Sequence, residues 1–206
     1  MERRSTNTPS AQGDDAHAEG ELLAKARDGN LFAFEEIVKR HQRRVYGVAL
    51  RIVRRHDVAD DVAQEAFIRA FQALDRFDTA RPFAPWICRI AANLAVNHVR
   101  SPRAREEELP SGPGETAAGG EDPLGGVLAR EARAVLDRGL ASLPADQRAV
   151  LVLRAVEGLS YKEIAGALGI AQGTVMSRLF RARERLAAAL SPYWDTDALR
   201  ARGEGA

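Results

Sequence analysis

The amino-acid sequence predicts an all-α protein with two small helical domains, joined by a flexible, acidic linker rich in Pro and Gly. Apolar residues recur at spacings of three and four on both sides of the chain's middle, which is the period of an amphipathic helix. Strand-like alternation is missing, and aromatic residues make up only 6% of the chain, which disfavours a sheet. Between the two helical blocks, residues 101–131 mix prolines, glycines and carboxylates and offer too little apolar area to fold.

The composition narrows the class of protein. A single cysteine, Cys88, excludes an internal disulfide framework and a cysteine-based zinc cluster. We find neither a signal-peptide-like segment nor an apolar run of about 18 residues, so we expect a cytoplasmic protein. The net charge of +1 conceals an uneven distribution of charge along the chain, because residues 21–100 and 133–190 each carry a net +4 and residues 101–132 carry a net −4. This distribution is compatible with two anion-binding modules.

The first domain is predicted over residues 21–100, after a disordered tail at 1–20. A short helix at 22–28 ends at a Gly-Asn turn signal, and a long amphipathic helix follows at 31–54. A third helix begins near Asp57, a good N-cap, and a loop at 77–85 containing two prolines precedes a fourth helix at 86–100.

The second domain is predicted over residues 132–190, before a C-terminal tail at 191–206. Helices are expected at 132–140 and 148–156, with Pro144 in a first turn. Ser160 and Glu163 form a capping box for a short helix that stops at Gly169, and another helix runs over 172–190. Two helices separated by this tight turn predict a helix-turn-helix.

The second helix of that motif carries hydroxyl and guanidinium groups opposite its apolar stripe: Thr174, Ser177, Arg178, Arg181 and Arg185. Side chains of these types enter the DNA major groove and contact base edges and phosphates. The alternative is an ordinary solvated arginine face on a core helix.

Two further helix faces carry functional signals. The third helix presents Asp61, Gln64, Glu65 and Ile68 at i, i+3, i+4 and i+7, which indicates either a solvated face or a ridge that docks on a protein. Around the fourth helix, basic and polar residues alternate with aromatic ones: Phe77, Arg81, Phe83, Trp86, Arg89, Asn93 and Arg100. That mixture suits single-stranded nucleic acid, although Phe83 and Trp86 would equally fill a core.

An enzyme is not indicated. The four histidines are scattered without ligand pairing, and no Gly-rich phosphate loop or nucleophile elbow is present. We therefore expect no catalytic residues, metal or cofactor.

Taken together, the motifs resemble the extracytoplasmic-function (ECF) group of bacterial RNA polymerase sigma factors. They are FEEIV (34–38) with His41, DDVAQEAFIRA (60–70), PWI (85–87) with RIAAN (89–93), the segment from Leu143-Pro144 to EGLSYKEIA (157–165), and GTVMSRLFRAR (173–183). They occur in the family's order and span both helical blocks.

The resemblance implies an alternative sigma factor that binds core polymerase and directs promoter recognition, promoter melting and transcription initiation. Core polymerase would contact Asp60, Asp61, Gln64, Glu65 and Ile68. The melted −10 element would contact Phe77, Arg81, Phe83, Trp86, Arg89, Asn93 and Arg100, and the −35 duplex would contact Thr174, Ser177, Arg178, Arg181 and Arg185. An anti-sigma factor is a further expected partner. The alternative is a stand-alone two-domain helix-turn-helix regulator that binds DNA unaided.

Overall fold

The computed structural model describes residues 11–79, 81–101, 132 and 134–194. Every regular element in these ranges is helical, which confirms the all-α prediction. The first block contains α1 (Ala11–Arg27), α2 (Leu31–Val53), α3 (His56–Gln72), a 3-10 turn (Leu74–Arg76) and α4 (Phe83–Arg100). The second block contains α5 over 134–141, α6 (Ala145–Ala155), α7 (Tyr161–Leu168) and α8 (Gln172–Trp194). The predicted linker from residue 102 to 131 lies outside the described residues.

Several helix ends follow directly from local sequence. The side chain of Asn30 accepts a hydrogen bond from the backbone N–H of Ala33 at 3.1 Å and caps α2. The capping box of α7 forms as predicted between Ser160 and Glu163. Gly169 then ends α7 in the left-handed conformation, with φ of 61°, which glycine adopts without steric cost.

Other boundaries differ from the sequence predictions. Helix α1 begins at Ala11, so residues 11–20 are helical and the predicted disordered tail is wrong there. Helix α4 begins at Phe83, because Pro85 is accommodated in the first turn, where its missing N–H costs nothing. Helix α6 begins at Ala145 after Pro144, and α8 continues past residue 190 to Trp194. The N-cap of α3 is Arg55 rather than Asp57, whose carboxylate lies in the first turn.

The first block packs around α2, which contacts α1, α3 and α4. Ile37 and Val45 of its apolar stripe are fully buried, in one cluster with Phe83 and Ile87 of α4 and Phe67 of α3. This cluster sets the orientation of α3 and α4, the two helices that carry the predicted binding faces of the block.

The two blocks are joined by a second apolar cluster. Helix α4 turns Cys88, Ala92 and Ala95 towards the second block, where α6 packs on both α2 and α4, and α7 packs on α4. Val96 follows Arg89 and Asn93 at helical spacing, yet it is buried in this cluster. The described parts of the two predicted domains therefore pack on each other through one continuous apolar cluster.

Candidate polymerase- and DNA-binding surfaces

An apolar groove of about 710 Å³ lies between α2 and α3. Phe34 and Val38 of α2 form one wall, and Phe67, Ile68 and Phe71 of α3 form the other. The Phe34 and Phe71 rings have centroids 4.9 Å apart, so aromatic rings from the two walls meet in the groove. An apolar concavity on an exposed face of a helix pair has the shape that accepts a partner helix.

The predicted acidic ridge forms the edge of this groove. Asp60, Asp61, Gln64 and Ile68 are exposed, and Asp60, Gln64 and Ile68 line the groove itself. Glu65 is half-buried and pairs with Arg69 at 2.7 Å, so its carboxylate is partly neutralised. The ridge and the groove together make one surface, which we call the α2–α3 surface.

Sequence reasoning missed the apolar half of that surface. Phe34 and Val38 belong by spacing to the apolar stripe of α2, yet both are only half-buried. At the start of α2, Leu31 and Phe32 are more exposed still, and Phe32 is 81% exposed. The available signal was the width of the α2 apolar stripe, which exceeds what one neighbouring helix covers.

The aromatic residues at the start of α4 form a packed cluster. The Phe77 and Trp86 ring centroids are 4.6 Å apart, and Phe83 lies 5.6 Å from Phe77 and 5.4 Å from Trp86. Phe77 and Phe83 are buried, so the prediction that they contact nucleic acid is not supported, because neither ring reaches the surface. Trp86 is half-buried and keeps an exposed edge.

A polar pair that the sequence did not reveal anchors this cluster. Nε2 of His41 lies 2.8 Å from a carboxylate oxygen of Glu19, and the His41 ring packs on Phe83 with centroids 5.2 Å apart. The backbone N–H of Phe83 donates to the same Glu19 carboxylate. The hydrogen bond from His41 lowers the pKa of Glu19 most strongly. Helix α1 thereby fixes the start of α4.

The polar face of α4 lies beside the second block. Asn93 is exposed and Arg89 is half-buried, and both line a groove of about 400 Å³ whose opposite wall includes Gly166 and Ala167 of α7. Arg81 is exposed in the preceding loop and pairs with Asp78 at 3.3 Å. At the end of α4, Arg100 is exposed and donates to the carboxylate of Asp146.

The helix-turn-helix forms as predicted, with Val175, Leu179 and Ala182 buried. On the outer side of α8, Ser177, Arg181 and Arg185 are exposed, and Thr174 is half-buried.

Arg178 differs from these residues. Its side chain is only 21% exposed and its Nη2 lies 3.2 Å from Asp146. Sequence reasoning also missed Phe180, which is 63% exposed on α8 although its position outside the buried stripe was evident.

Polar contacts cross the seam between the two blocks. Nε of Arg44 donates to Glu157 at 2.9 Å, and the Glu157 side chain is fully buried. The Cys88 thiol lies beside this pair, and burial raises its pKa, so the thiol stays protonated. The pairing of Arg44 with Glu157 was not predicted from the sequence, because residues more than 100 positions apart leave no local pattern.

Within the described ranges, no group of three or more His, Cys, Asp or Glu side chains is placed to hold a metal ion. In the same ranges, no helix is both long and apolar enough to cross a membrane.

Two family models match the chain: sigma-70 region 2 over residues 37–106 and sigma-70 region 4 over residues 133–186. The sequence is 37% identical over 180 residues to the RNA polymerase sigma-H factor of Pseudomonas aeruginosa, covering 84% of this chain and 93% of the relative. It is 37% identical over 173 residues to the ECF RNA polymerase sigma-E factor of Escherichia coli K12, covering 80% and 90%.

Two solved structures are similar to the fold. CnrH in complex with the cytosolic domain of CnrY matches with a TM-score of 0.56 and 33% identity, covering 84% of this chain and 97% of that one. The sigma factor RpoE of Bartonella quintana, in complex with the anti-sigma factor NepR, matches with a TM-score of 0.59 and 26% identity, covering 77% and 96%.

Proposed function

The chain belongs to the sigma-70 family of RNA polymerase sigma factors, in the extracytoplasmic-function group, and on this premise we propose which of its surfaces bind core polymerase, the −10 element and the −35 element. A sigma factor is not itself an enzyme; it supplies promoter recognition to the polymerase. The observation that carries the proposal is the combination, on one chain, of an acidic and apolar docking groove with a basic helix-turn-helix.

The α2–α3 surface is proposed as the site for core polymerase. Its groove offers apolar area to a partner helix, and Asp60, Asp61 and Gln64 at its edge offer hydrogen-bond acceptors to basic and polar side chains. Buried apolar contacts supply affinity at such interfaces, and the charged rim supplies orientation.

The polar face of α4 is proposed as the site for the melted −10 element. Arg81, Arg89 and Arg100 offer guanidinium groups to phosphates, Asn93 offers an amide to base edges, and the edge of Trp86 offers a stacking surface. Phe77 and Phe83 contribute indirectly, because their buried rings pack against Trp86 and hold it in place. Holding the separated strand in this way favours promoter melting.

The outer face of α8 is proposed to read the −35 duplex. Ser177, Arg181 and Arg185 are exposed along one side of the helix, Thr174 lies near its start, and Arg178 joins them once Asp146 releases it. Arginine forms bidentate hydrogen bonds with guanine, and hydroxyl groups bond to bases or phosphates.

An anti-sigma factor is proposed as a further partner, and the cytoplasm as the place of action. Both similar structures described above hold a partner polypeptide, and one of these partners is named an anti-sigma factor. Affinity purification of the tagged chain from its source cell tests this proposal. We expect one stoichiometric partner besides polymerase subunits; recovery of polymerase alone would contradict it.

Run-off transcription on fragments of the source genome tests the function as a whole. With bacterial core polymerase we expect discrete transcripts that appear only when the protein is added, and their start sites would locate both promoter elements. The stand-alone regulator predicts the opposite result, in which the protein alone shifts specific DNA and no new transcript depends on it.

The −35 assignment has a test of its own in Arg181→Ala. Arg181 is exposed and central on the outer face of α8, so its loss should remove about 1–3 kcal/mol of discrimination between the −35 element and a mutated one. Arg183→Ala, an exposed arginine of the same helix outside the predicted face, is the matched control. Equal preference in the Arg181 variant and the parent, measured by run-off on both templates, would reject the assignment.

A further inference from the structure

One carboxylate contacts two arginines that belong to different proposed DNA-binding surfaces. Oδ1 of Asp146 accepts from Nε of Arg100 at 2.8 Å and lies 2.7 Å from its Nη2. Oδ2 of the same side chain lies 3.2 Å from Nη2 of Arg178. Arg100 ends the −10 face of α4, and Arg178 lies on the −35 helix α8. A single residue in the first turn of α6 therefore occupies a guanidinium group from each surface.

The geometry matches what a DNA phosphate would provide. Arginine binds carboxylates and phosphates through the same charge-assisted hydrogen bonds, so the two anions compete for one guanidinium. The side chain of Arg178 is only 21% exposed while it is paired, so DNA reaches it only after its ion pair with Asp146 has broken.

The rest of the seam holds the two blocks in the same closed arrangement. Arg44 of α2 donates to the buried Glu157 that follows α6, and Nη1 of Arg54 donates to the backbone carbonyl of Asp137 at 3.4 Å. Beside them, Gly166 and Ala167 of α7 form a wall opposite Arg89 and Asn93 of the −10 face. In this arrangement the second block restricts the approach of a nucleic acid strand to α4.

The seam also contains features that favour opening. Burial, and after it the charge of the nearby Arg54, lowers the pKa of Arg148 to about 10. Buried polar atoms without a hydrogen-bond partner occur on residues of the second block: Gln147 Oε1, Arg148 Nε, Glu157 Oε1 and Arg178 Nη1. Such atoms cost free energy while buried and regain water when a surface opens.

We propose that Asp146 is an internal stand-in for DNA phosphate, which occupies Arg100 and Arg178 in the free sigma factor and helps to hold the two blocks closed until promoter-bound polymerase displaces it. The proposal rests on the DNA-binding roles assigned above to these two arginines. It lowers the affinity of the free protein for DNA, because two of the guanidinium groups that attract phosphate are already neutralised.

The test uses the full chain with Asp146→Asn, which keeps the size of the side chain and removes its charge. We expect two changes in the free protein: a larger radius of gyration by small-angle X-ray scattering, and several-fold tighter binding to a short labelled DNA duplex at low salt. A duplex of any sequence suffices, because phosphate attraction does not depend on sequence. Asp137→Asn removes the same charge from the same block and is the control, since the Asp137 side chain has no described partner at the seam.

Arg44→Ala opens the seam from its other side without touching a residue assigned to DNA or polymerase. It leaves the buried Glu157 carboxylate unpaired, so we expect the same increase in radius. Thermal melting by circular dichroism shows whether each variant is folded. If Asp146→Asn does not fold, the measurements on Arg44→Ala replace it.

The outcomes separate the two proposals. An unchanged radius and unchanged duplex binding in folded variants would overturn the closed-state role of Asp146, whereas promoter-dependent run-off transcription would still support the sigma function. A larger radius without tighter duplex binding would support the closed-state role of Asp146 and would overturn the assignment of Arg100 and Arg178 to DNA.

Discussion

Asp61 lies on the exposed edge of the α2–α3 surface, where a change of charge tests partner binding with little effect on packing. We predict that Asp61→Lys weakens association with core polymerase, because it places a cation on a rim that is otherwise acidic. Exposed substitutions of this kind usually change stability by no more than about 0.5 kcal/mol, so the melting curve should match that of the parent. Asp75→Lys, an exposed position outside the groove, is the control. Equal co-elution of the Asp61 variant and the parent with core polymerase would contradict the prediction.

The Glu19–His41 pair predicts a dependence of stability on pH. The folded state lowers the pKa of Glu19, so its stabilising effect is complete above the unfolded pKa of about 4.3 and is lost as pH falls through the lower folded value. The difference in free energy of unfolding between the parent and Glu19→Gln should therefore be constant near neutral pH and shrink below about pH 4.3. Denaturant titrations across that range measure it. Glu21→Gln, on the exposed side of α1, should show no comparable difference, and a gap that stays constant into acid would refute the role of Glu19.

The exposure of individual side chains was predictable from the sequence only where it follows from residue type and helical face. Ser177, Arg181 and Asp61 are exposed as their spacing predicted. Phe77, Phe83 and Arg178 are not, because their surroundings are set by residues from other helices, which a local spacing does not contain.

At the scale of single elements, α7 is the clearest case in which local sequence determines structure. The backbone N–H of Ser160 donates to Glu163 Oε2 at 2.9 Å, and the N–H of Glu163 donates back to Ser160 Oγ at 3.3 Å. We predict that Ser160→Ala lowers the free energy of unfolding by about 1 kcal/mol, the usual cost of losing such a cap. Ser191→Ala, whose hydroxyl bonds only within its own helix, is the control and should be nearly neutral. Equal denaturation midpoints for the two variants would show that the cap is unimportant here.

The helices with strong local signals were located well, and those without were not. Helix α2 combines a wide apolar stripe with an Asn cap, and its predicted and observed limits agree within one residue. The first turns of α1 lack a clear apolar stripe, and the helix is held instead by Leu23 in the core and Glu19 against α4. Tertiary contacts of that kind override a weak local preference.

At the scale of the whole molecule, the sequence predicted two separate domains because its composition changes sharply at residues 101–131. The composition of a connecting segment does not determine whether the domains it joins pack together. Helix α4 carries two apolar faces, and the second is formed mainly by the small residues Cys88, Ala92 and Ala95, which do not stand out in a search for bulky apolar stripes. Small side chains allow close approach of a neighbouring helix, and here that neighbour comes from the other block.

Because the two blocks share one apolar core, we predict that destabilising the second block also lowers the stability of the first. Leu179 is buried in α8, away from the first block, and Leu179→Ala should cost about 2–5 kcal/mol in the second block. The chain's two tryptophans are Trp86 and Trp194, so Trp194→Phe leaves Trp86 as the sole tryptophan reporter, in the aromatic cluster of the first block.

In that background, we predict that Leu179→Ala lowers the melting temperature seen by Trp86, because the seam contributes to the stability of both blocks. Arg44→Ala, which weakens the seam, should reduce the size of this shift. A Trp86 transition that is unaffected by Leu179→Ala, while circular dichroism shows the second block melting earlier, would mean that the blocks unfold independently and that their shared apolar cluster adds little to stability.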